Sequence, residues 1–442
     1  MRGVLRDAYG LTLSTDSRAA VDAYDRGVRG QLAFAADTID HFRAAVAADP
    51  DFALGRAALA SALLLDEIIP EAREQMQQAA AHPERLSPRE QRHLEALRLF
   101  VSGRGPDAIP LMTEILTDTP RDIYLVQRLF FIYFWQGRSA DLLALTELVR
   151  GGYGADEGFM LGLHGFALEE NRHFPDARVH ADRAIALDPQ DAWAVHALAH
   201  VLYETGDNTG GIDLLPARIH PCSHLGYFRR HLLWHLSLLH LASGHYERVA
   251  KMFEDVYGRI PISIGSELHD SVSLAWRMDL FGHPDPARWV HLGQAVRKWL
   301  DLPLLLFHDL HVGMALASAG DWATASGHLE KMRARGQKGR NPSLPEVAVP
   351  LLDGMYAFAR GDFATAVARI APIEERIREV GGSHAQREVF HDTLLAATLR
   401  GGFADRAPDL LERRLAKRPN PGDYWVRAGA PRANGAAGAG PA

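Results

Sequence analysis

Four times along this chain a turn-forming residue leads within two or three positions to an aromatic, and three positions after the aromatic stands Ala or Val. Asn171-Arg172-His173-Phe174 leads to Ala177, Gly244-His245-Tyr246 to Val249, Gly320-Asp321-Trp322 to Ala325, and Gly361-Asp362-Phe363 to Ala366. Each reads as the tight turn inside a helical hairpin. Gly or Asn tolerates the left-handed conformation that closes the first helix. The aromatic then packs into the cleft, and the small residue lets the helices approach. A second marker closes the units: Ala47-Ala48-Asp49-Pro50 and Ala186-Leu187-Asp188-Pro189 each precede a run rich in Ala and Leu. There Asp is expected to cap the next helix and Pro to occupy its first turn.

Phe159 to Gly206 is the best single unit, joining Gly162, Phe166, Phe174, Ala177, Ala184 and Pro189 to apolar positions at helical spacing. Elsewhere the spacing drifts: Gly244 to Gly320 to Gly361 is 76 and then 41 residues, against a regular repeat of ~34. Longer helices and insertions are expected, in an irregular, tightly curled superhelix and not a uniform open groove. Ala and Leu far outnumber β-branched and aromatic residues, which also points to helix. The whole of 1–427 reads as one domain, and 428–442, AGAPRANGAAGAGPA, as a disordered tail.

The formal charge of -7 is too mild and too mixed to advertise nucleic acid or an anionic membrane. Cys222 is the only cysteine, so no intramolecular disulfide forms, and the expected compartment is the cytoplasm. No signal-peptide core opens the chain, and no apolar run reaches the ~18 residues of a membrane span.

Several stretches, read in order, resemble the tetratricopeptide repeat protein 38 family. They are Leu11 to Thr15, Ala48 to Phe52, Pro88 to Gln91, Gly162 through Trp193-Ala194-Val195-His196, His200, His231 to His235, Leu305 to Asp309, and Gly381-Gly382-Ser383 with Gln386-Arg387. The resemblance covers nearly everything but the tail. It implies an all-α, tetratricopeptide-type helical-hairpin solenoid and carries no activity with it.

Function is read from the histidines, 22 in all. His196 and His200 are four apart, as are His231 and His235; His308 and His311 are three apart, with Asp309 between them. Such offsets put side chains on one helix face. Two such helices facing each other would gather four imidazoles, with Asp270 (beside His269) and Asp309 (beside His308) as carboxylates that bind or orient. Ala197 and Leu232 stand where a zinc-protease helix needs its glutamate, so that motif is excluded. Glu204 lies one turn after His200.

The leading expectation is an internal pocket for a small molecule or short peptide. His200, His231, His235, Asp270, Asp309 and His311 are its candidate acid/base residues, and Gln386, Arg387, Trp234 and Glu204 its candidate binding residues. A divalent metal on His196, His200, His231 and His235 is the less favoured occupant. The plainer alternatives are histidines that satisfy backbone carbonyls or stack on Trp193 and Trp234, and an interaction scaffold that grips a protein partner without catalysis.

His220-Pro221-Cys222-Ser223-His224 is read as a turn, not a nucleophile. Gly381 to Arg387 opens a helix whose free N–H groups could hold an anion. No phosphate-binding loop or nucleophile elbow occurs. Arg333, Arg335, Lys338 and Arg340 are expected in a solvated loop, and Leu129 to Trp135 in the core.

Overall fold

Every one of the four turn markers opens a helix at its aromatic: Phe174–Leu187, Tyr246–Phe253, Trp322–Gln337 and Phe363–Ile370. The small residue three positions on is fully buried each time, at Ala177, Val249, Ala325 and Ala366. The aromatics themselves are only half-buried. Guanidinium groups cover two of them, Arg172 over Phe174 and Arg360 over Trp322.

The computed structural model describes residues 5–222, 225–258, 261–339, 341–403 and 405–429. They form an all-helical, repeat-like fold of 23 α-helices, with one two-stranded ribbon pairing Leu5–Arg6 with Thr12–Leu13. Consecutive helices pack in pairs, such as Arg18–Ala33 with Thr38–Ala48 and Gly158–Glu170 with Phe174–Leu187. No described helix is long and apolar enough to cross a membrane. The last described helix is Tyr424–Gly429, and the expected tail beyond it lies outside the described residues.

The repeat is more regular than its sequence markers. Left-handed residues close the first helix of successive hairpins at 34, 67, 103, 137, 172, 206, 244, 282, 320, 361 and 402, in steps of 33 to 41 residues. The 76-residue gap is two units of 38, divided at Gly282 (φ 86°). Gly282 lacks the sequence marker: Pro284 stands where the four marked turns carry an aromatic, and the second helix, Pro286–Ala295, starts on a proline. At 171–172 the left-handed residue is Arg172 (φ 65°), not Asn171. Asn171 instead donates its side-chain amide to the Ser139 and Ala167 carbonyls.

The Asp-Pro markers also act differently from expectation. Asp49 and Asp188 end helices Thr38–Ala48 and Phe174–Leu187 and do not begin the next ones. Proline disfavours helical geometry in the residue before it, so both aspartates are extended and accept from the backbone N–H two residues on, in Asp51 and Gln190. The cap of Ala192–Glu204 is Asp191, which accepts from the Ala194 N–H. Arg333 and Arg335 lie on helix Trp322–Gln337 and not in a loop, and both are ion-paired, Arg335 to Asp309. Arg340 lies outside the described residues.

One continuous apolar core runs through the first helices of the hairpins, and the aromatics of Ile123–Phe134 belong to it. Each fully buried side chain such as Phe130 or Phe166 contributes about 2 kcal/mol. Later segments return onto earlier turns. Glu67, in the second hairpin turn, accepts from Gly265 N–H and Trp299 Nε1–H, both at 2.7 Å. Arg418 reaches Tyr203 and Glu204, and Asn420 reaches the Ala242 carbonyl.

Candidate functional site

Helix Ala192–Glu204 is held at its start by the Asp191 cap and buried along its whole length. It packs against Gly226–Ala242, so two stripes of i, i+4 histidines face each other. The outcome is a four-imidazole cluster. His196 Nε2 lies 3.1 Å from His200 Nε2 and 3.0 Å from His231 Nε2, which is 3.2 Å from His235 Nε2. His200 is 0% exposed, His235 1%, His196 2% and His231 8%. Phe166 stacks on His196, Trp234 stacks on His231, and Trp193 and Phe228 fill the flanks.

Burial, then the neighbouring imidazoles, holds His196 and His235 well below the ordinary histidine range. Burial brings His200 down to about 4, against the pull of Glu170 and Glu204. These three rings are therefore neutral at neutral pH. The proton of His231 is located by its partner: Asp270, 2% exposed, sits 2.9 and 3.1 Å from Nδ1. A carboxylate only accepts, so Nδ1 donates, and the neutral ring would then present its Nε2 lone pair.

Protons cannot make every one of these contacts a linear hydrogen bond. An imidazole nitrogen has one in-plane direction, occupied by either a hydrogen or a lone pair. His196 Nε2 faces two partners, and so does His231 Nε2, so the three contacts cannot all be linear hydrogen bonds. One cation among the four nitrogens would satisfy every lone pair. Zinc–nitrogen bonds of ~2.0–2.1 Å in a tetrahedron put ligand nitrogens about 3.3–3.4 Å apart, a few tenths of an ångström from the spacing seen. His196, His231 and His235 offer ligand atoms within 4.8 Å of one another, while His200 offers one to a group with Glu169 and Glu170.

The orienting groups are uneven. Asp270 fixes His231. Glu169 Oε2 lies 3.2 Å from His200 Nδ1, within ion-pair reach but out of line for a hydrogen bond, while His196 Nδ1 and His235 Nδ1 have no acceptor among the described residues. Glu169, Glu170 and His200 form a second buried group of metal-ligand type. Burial, then Glu170 and Glu204, pushes Glu169 well above the usual carboxylate range. Burial acts the same way on Glu170, but His384, Arg387 and His200 outweigh it and hold Glu170 low.

Sequence spacing gave no hint of these two glutamates, although one signal was available. Acidic residues in the last turn of a helix oppose its dipole. Gly158–Glu170 ends on two of them, both buried, and Ala192–Glu204 on another. Such placements call for a local reason.

The remaining candidates fall elsewhere. His311 joins a separate cluster, in which His269 Nε2 lies 3.1 Å from His308 Nδ1 and the His269 and His311 rings are 5.1 Å apart. His311 Nδ1 donates to the Phe307 carbonyl at 2.8 Å. Asp309 belongs to neither cluster: it pairs with Arg335, and its carbonyl accepts from His328. Trp234 donates to Ser273 Oγ and presents its ring face to His231 and Arg277.

Gln386 is spent on capping. It accepts from the Ser383 N–H, while Ser383 Oγ accepts from the Gln386 N–H. The anion expected at that helix start is internal, because Glu170 accepts from the His384 N–H at 2.9 Å and lies 3.5 Å from Arg387. Glu204 pairs with Arg418 at 2.9 Å. Arg387 and Glu204 line a cavity of about 180 Å³ whose walls include none of the four clustered histidines.

Cys222 is buried, and burial followed by Asp191 and Asp188 pushes its thiol up to about 11, the reverse of an activated nucleophile. Ser223 and His224 lie outside the described residues. No protein-family model matches this chain.

Proposed function

We propose that this chain is a tetratricopeptide-type helical repeat protein, related to the tetratricopeptide repeat protein 38 family, that binds one divalent transition-metal ion of the zinc class. The ligands are His196, His200, His231 and His235. Helical hairpins recurring every 33 to 41 residues support the scaffold. The observation that carries the metal is the run of four Nε2 atoms in steps of 3.0 to 3.2 Å, three of them, on His196, His231 and His235, within ligand reach of one another.

Four imidazoles fill a tetrahedral shell and leave no open position, which is the pattern of a structural site and not a catalytic one. The ion ties the hairpin of Ala192–Glu204 to that of Gly226–Ala242. Acid/base work by the same rings is the weaker reading: three of them are held uncharged, and their burial leaves little room for a substrate. A buried reduced thiol fits a cytoplasmic protein.

Elemental analysis of the full chain, purified without chelator, tests this. About one ion per chain is expected, with cobalt replacing it to give the absorption of a tetrahedral site. His196→Ala and His235→Ala should each abolish stoichiometric binding, and His269→Ala should not. A chain that takes up neither zinc nor cobalt, and whose Tm neither ion raises, overturns the reading.

A further inference from the structure

We propose that the 180 Å³ cavity binds a small phosphomonoester, at a site separate from the four histidines. It lies where the ends of helices Gly158–Glu170, Ala192–Glu204 and Ala407–Lys417 meet the first turns of His384–Arg400. Arg172, Arg387, Arg414, Lys417 and Arg418 line it, against only two carboxylates, Glu204 and Glu388.

The ion pairs are unevenly shared along the cavity. Arg414 is saturated by Glu388, Asp392 and Asp423, and Arg387 is engaged by Glu170. Arg172 and Lys417, both exposed at the mouth, have no carboxylate partner among the described residues; Arg172 donates only to the Lys417 carbonyl. Deeper in, Arg418 is 5% exposed and gives its terminal nitrogens to Tyr203 and Glu204, but its buried Nε–H has no acceptor. A buried donor left unpaired next to a cavity points to a missing acceptor.

The class of ligand follows from the layout. Donors reach the cavity from one hairpin turn and two later helices, so they approach from several directions. A tetrahedral phosphate accepts from several directions, whereas a carboxylate accepts in one plane. His391, also on the wall, adds one more polar ring, whereas both ring nitrogens of His384 are engaged by the Glu170 carbonyl and Arg387. The volume is roughly ten times the ~15 Å³ that admits one water, so an organic group fits beside the phosphate.

Glycerol phosphate is the probe, titrated into the full chain by calorimetry, with sodium chloride at matched ionic strength and succinate as controls. Saturable binding of glycerol phosphate is expected, with succinate at least about tenfold weaker. Arg172→Ala/Lys417→Ala, at two exposed positions, should weaken it by about tenfold or more and leave the metal content unchanged, so this idea and the metal site can fail separately. If the double variant loses its native melt, Lys417→Gln alone gives the same readout. A response no larger than that to chloride, a double variant that binds as well as the parent, or succinate binding more tightly would each overturn the proposal.

Discussion

The two histidine clusters lie on neighbouring helices and differ in whether three ring nitrogens come within ligand reach of one another or only touch in a line. In the first, two i, i+4 pairs face each other, Nε2 contacts run from His200 through His196 and His231 to His235, and His196, His231 and His235 offer ligand atoms within 4.8 Å of one another. In the second, an i, i+3 pair meets a single histidine. His269 Nε2 contacts His308 Nδ1, His308 Nε2 lies 3.5 Å from Glu67, and His311 donates to its own helix. The second is a relay ending on a carboxylate, which protons can satisfy step by step. Helical spacing gathers histidines in both; only duplicated i, i+4 spacing on facing helices aims them at a common centre.

Acid gives the largest test of that difference. Burial holds His200 at about 4 and His311 at about 3. Below the unfolded value of about 6.5, the unfolded chain takes up protons that the folded chain refuses. The stability is therefore fully present above pH 6.5 and drains as pH falls toward 4 and 3. Each ring removes about 1.4 kcal/mol per pH unit across its window, so His200 alone accounts for about 3 kcal/mol by pH 4. Urea melts of chelator-treated protein at pH 7.5, 6 and 5 read this loss. The zinc-loaded protein should start higher and fall more steeply, since protons also displace the ion. Identical curves with and without zinc would remove the metal from the first cluster while leaving the second as described.

The i, i+4 pairs were legible in the sequence because a helix turns spacing directly into a shared face. Adjacency misleads for the same reason. Neighbouring residues stand about 100° apart around a helix, so Asp309 turns to Arg335 while His308 turns to His269. Asp270 and His269 likewise diverge, one to each cluster, which makes Gly265–Leu280 the wall between them. Fold class was legible through the Gly-x-aromatic turns. The 282 turn was not, since it is marked by backbone conformation and not by an aromatic. Glu170 was hidden because its partners, His384 and Arg387, lie more than 200 residues away, and Glu169 because it meets His200 from a different helix.

Gly265→Ala should break the second cluster alone. Gly265 opens its helix with its N–H on Glu67, and a Cβ there would fall on the His308 imidazole. His308 is 6% exposed and held between Glu67 and His269, so it has little room to move. Overpacking of this kind costs about 1–3 kcal/mol. Thermal and urea melts should show that loss with the zinc stoichiometry unchanged. Loss of the metal would mean that the two clusters act as one unit.

Asp270→Asn against Glu67→Gln is the finest comparison, because each swaps a carboxylate for a near-isosteric amide at a histidine. Asp270 holds the His231 proton on Nδ1, which leaves the Nε2 lone pair free for an ion. An amide oxygen still accepts that proton but no longer strengthens the ring as a ligand. Removing such an outer-shell carboxylate weakens metal binding by about 10–100-fold, and retention of the hydrogen bond puts Asn near tenfold. Competition with a chromophoric zinc chelator measures it. Glu67 serves His308, Gly265 and Trp299 and touches none of the four converging rings. Glu67→Gln should therefore lower stability slightly and leave zinc affinity where it was. Equal weakening by both substitutions would show that the ion is held by general negative charge and not by the orientation of His231, and the distinction between convergent and linear clusters would then fail.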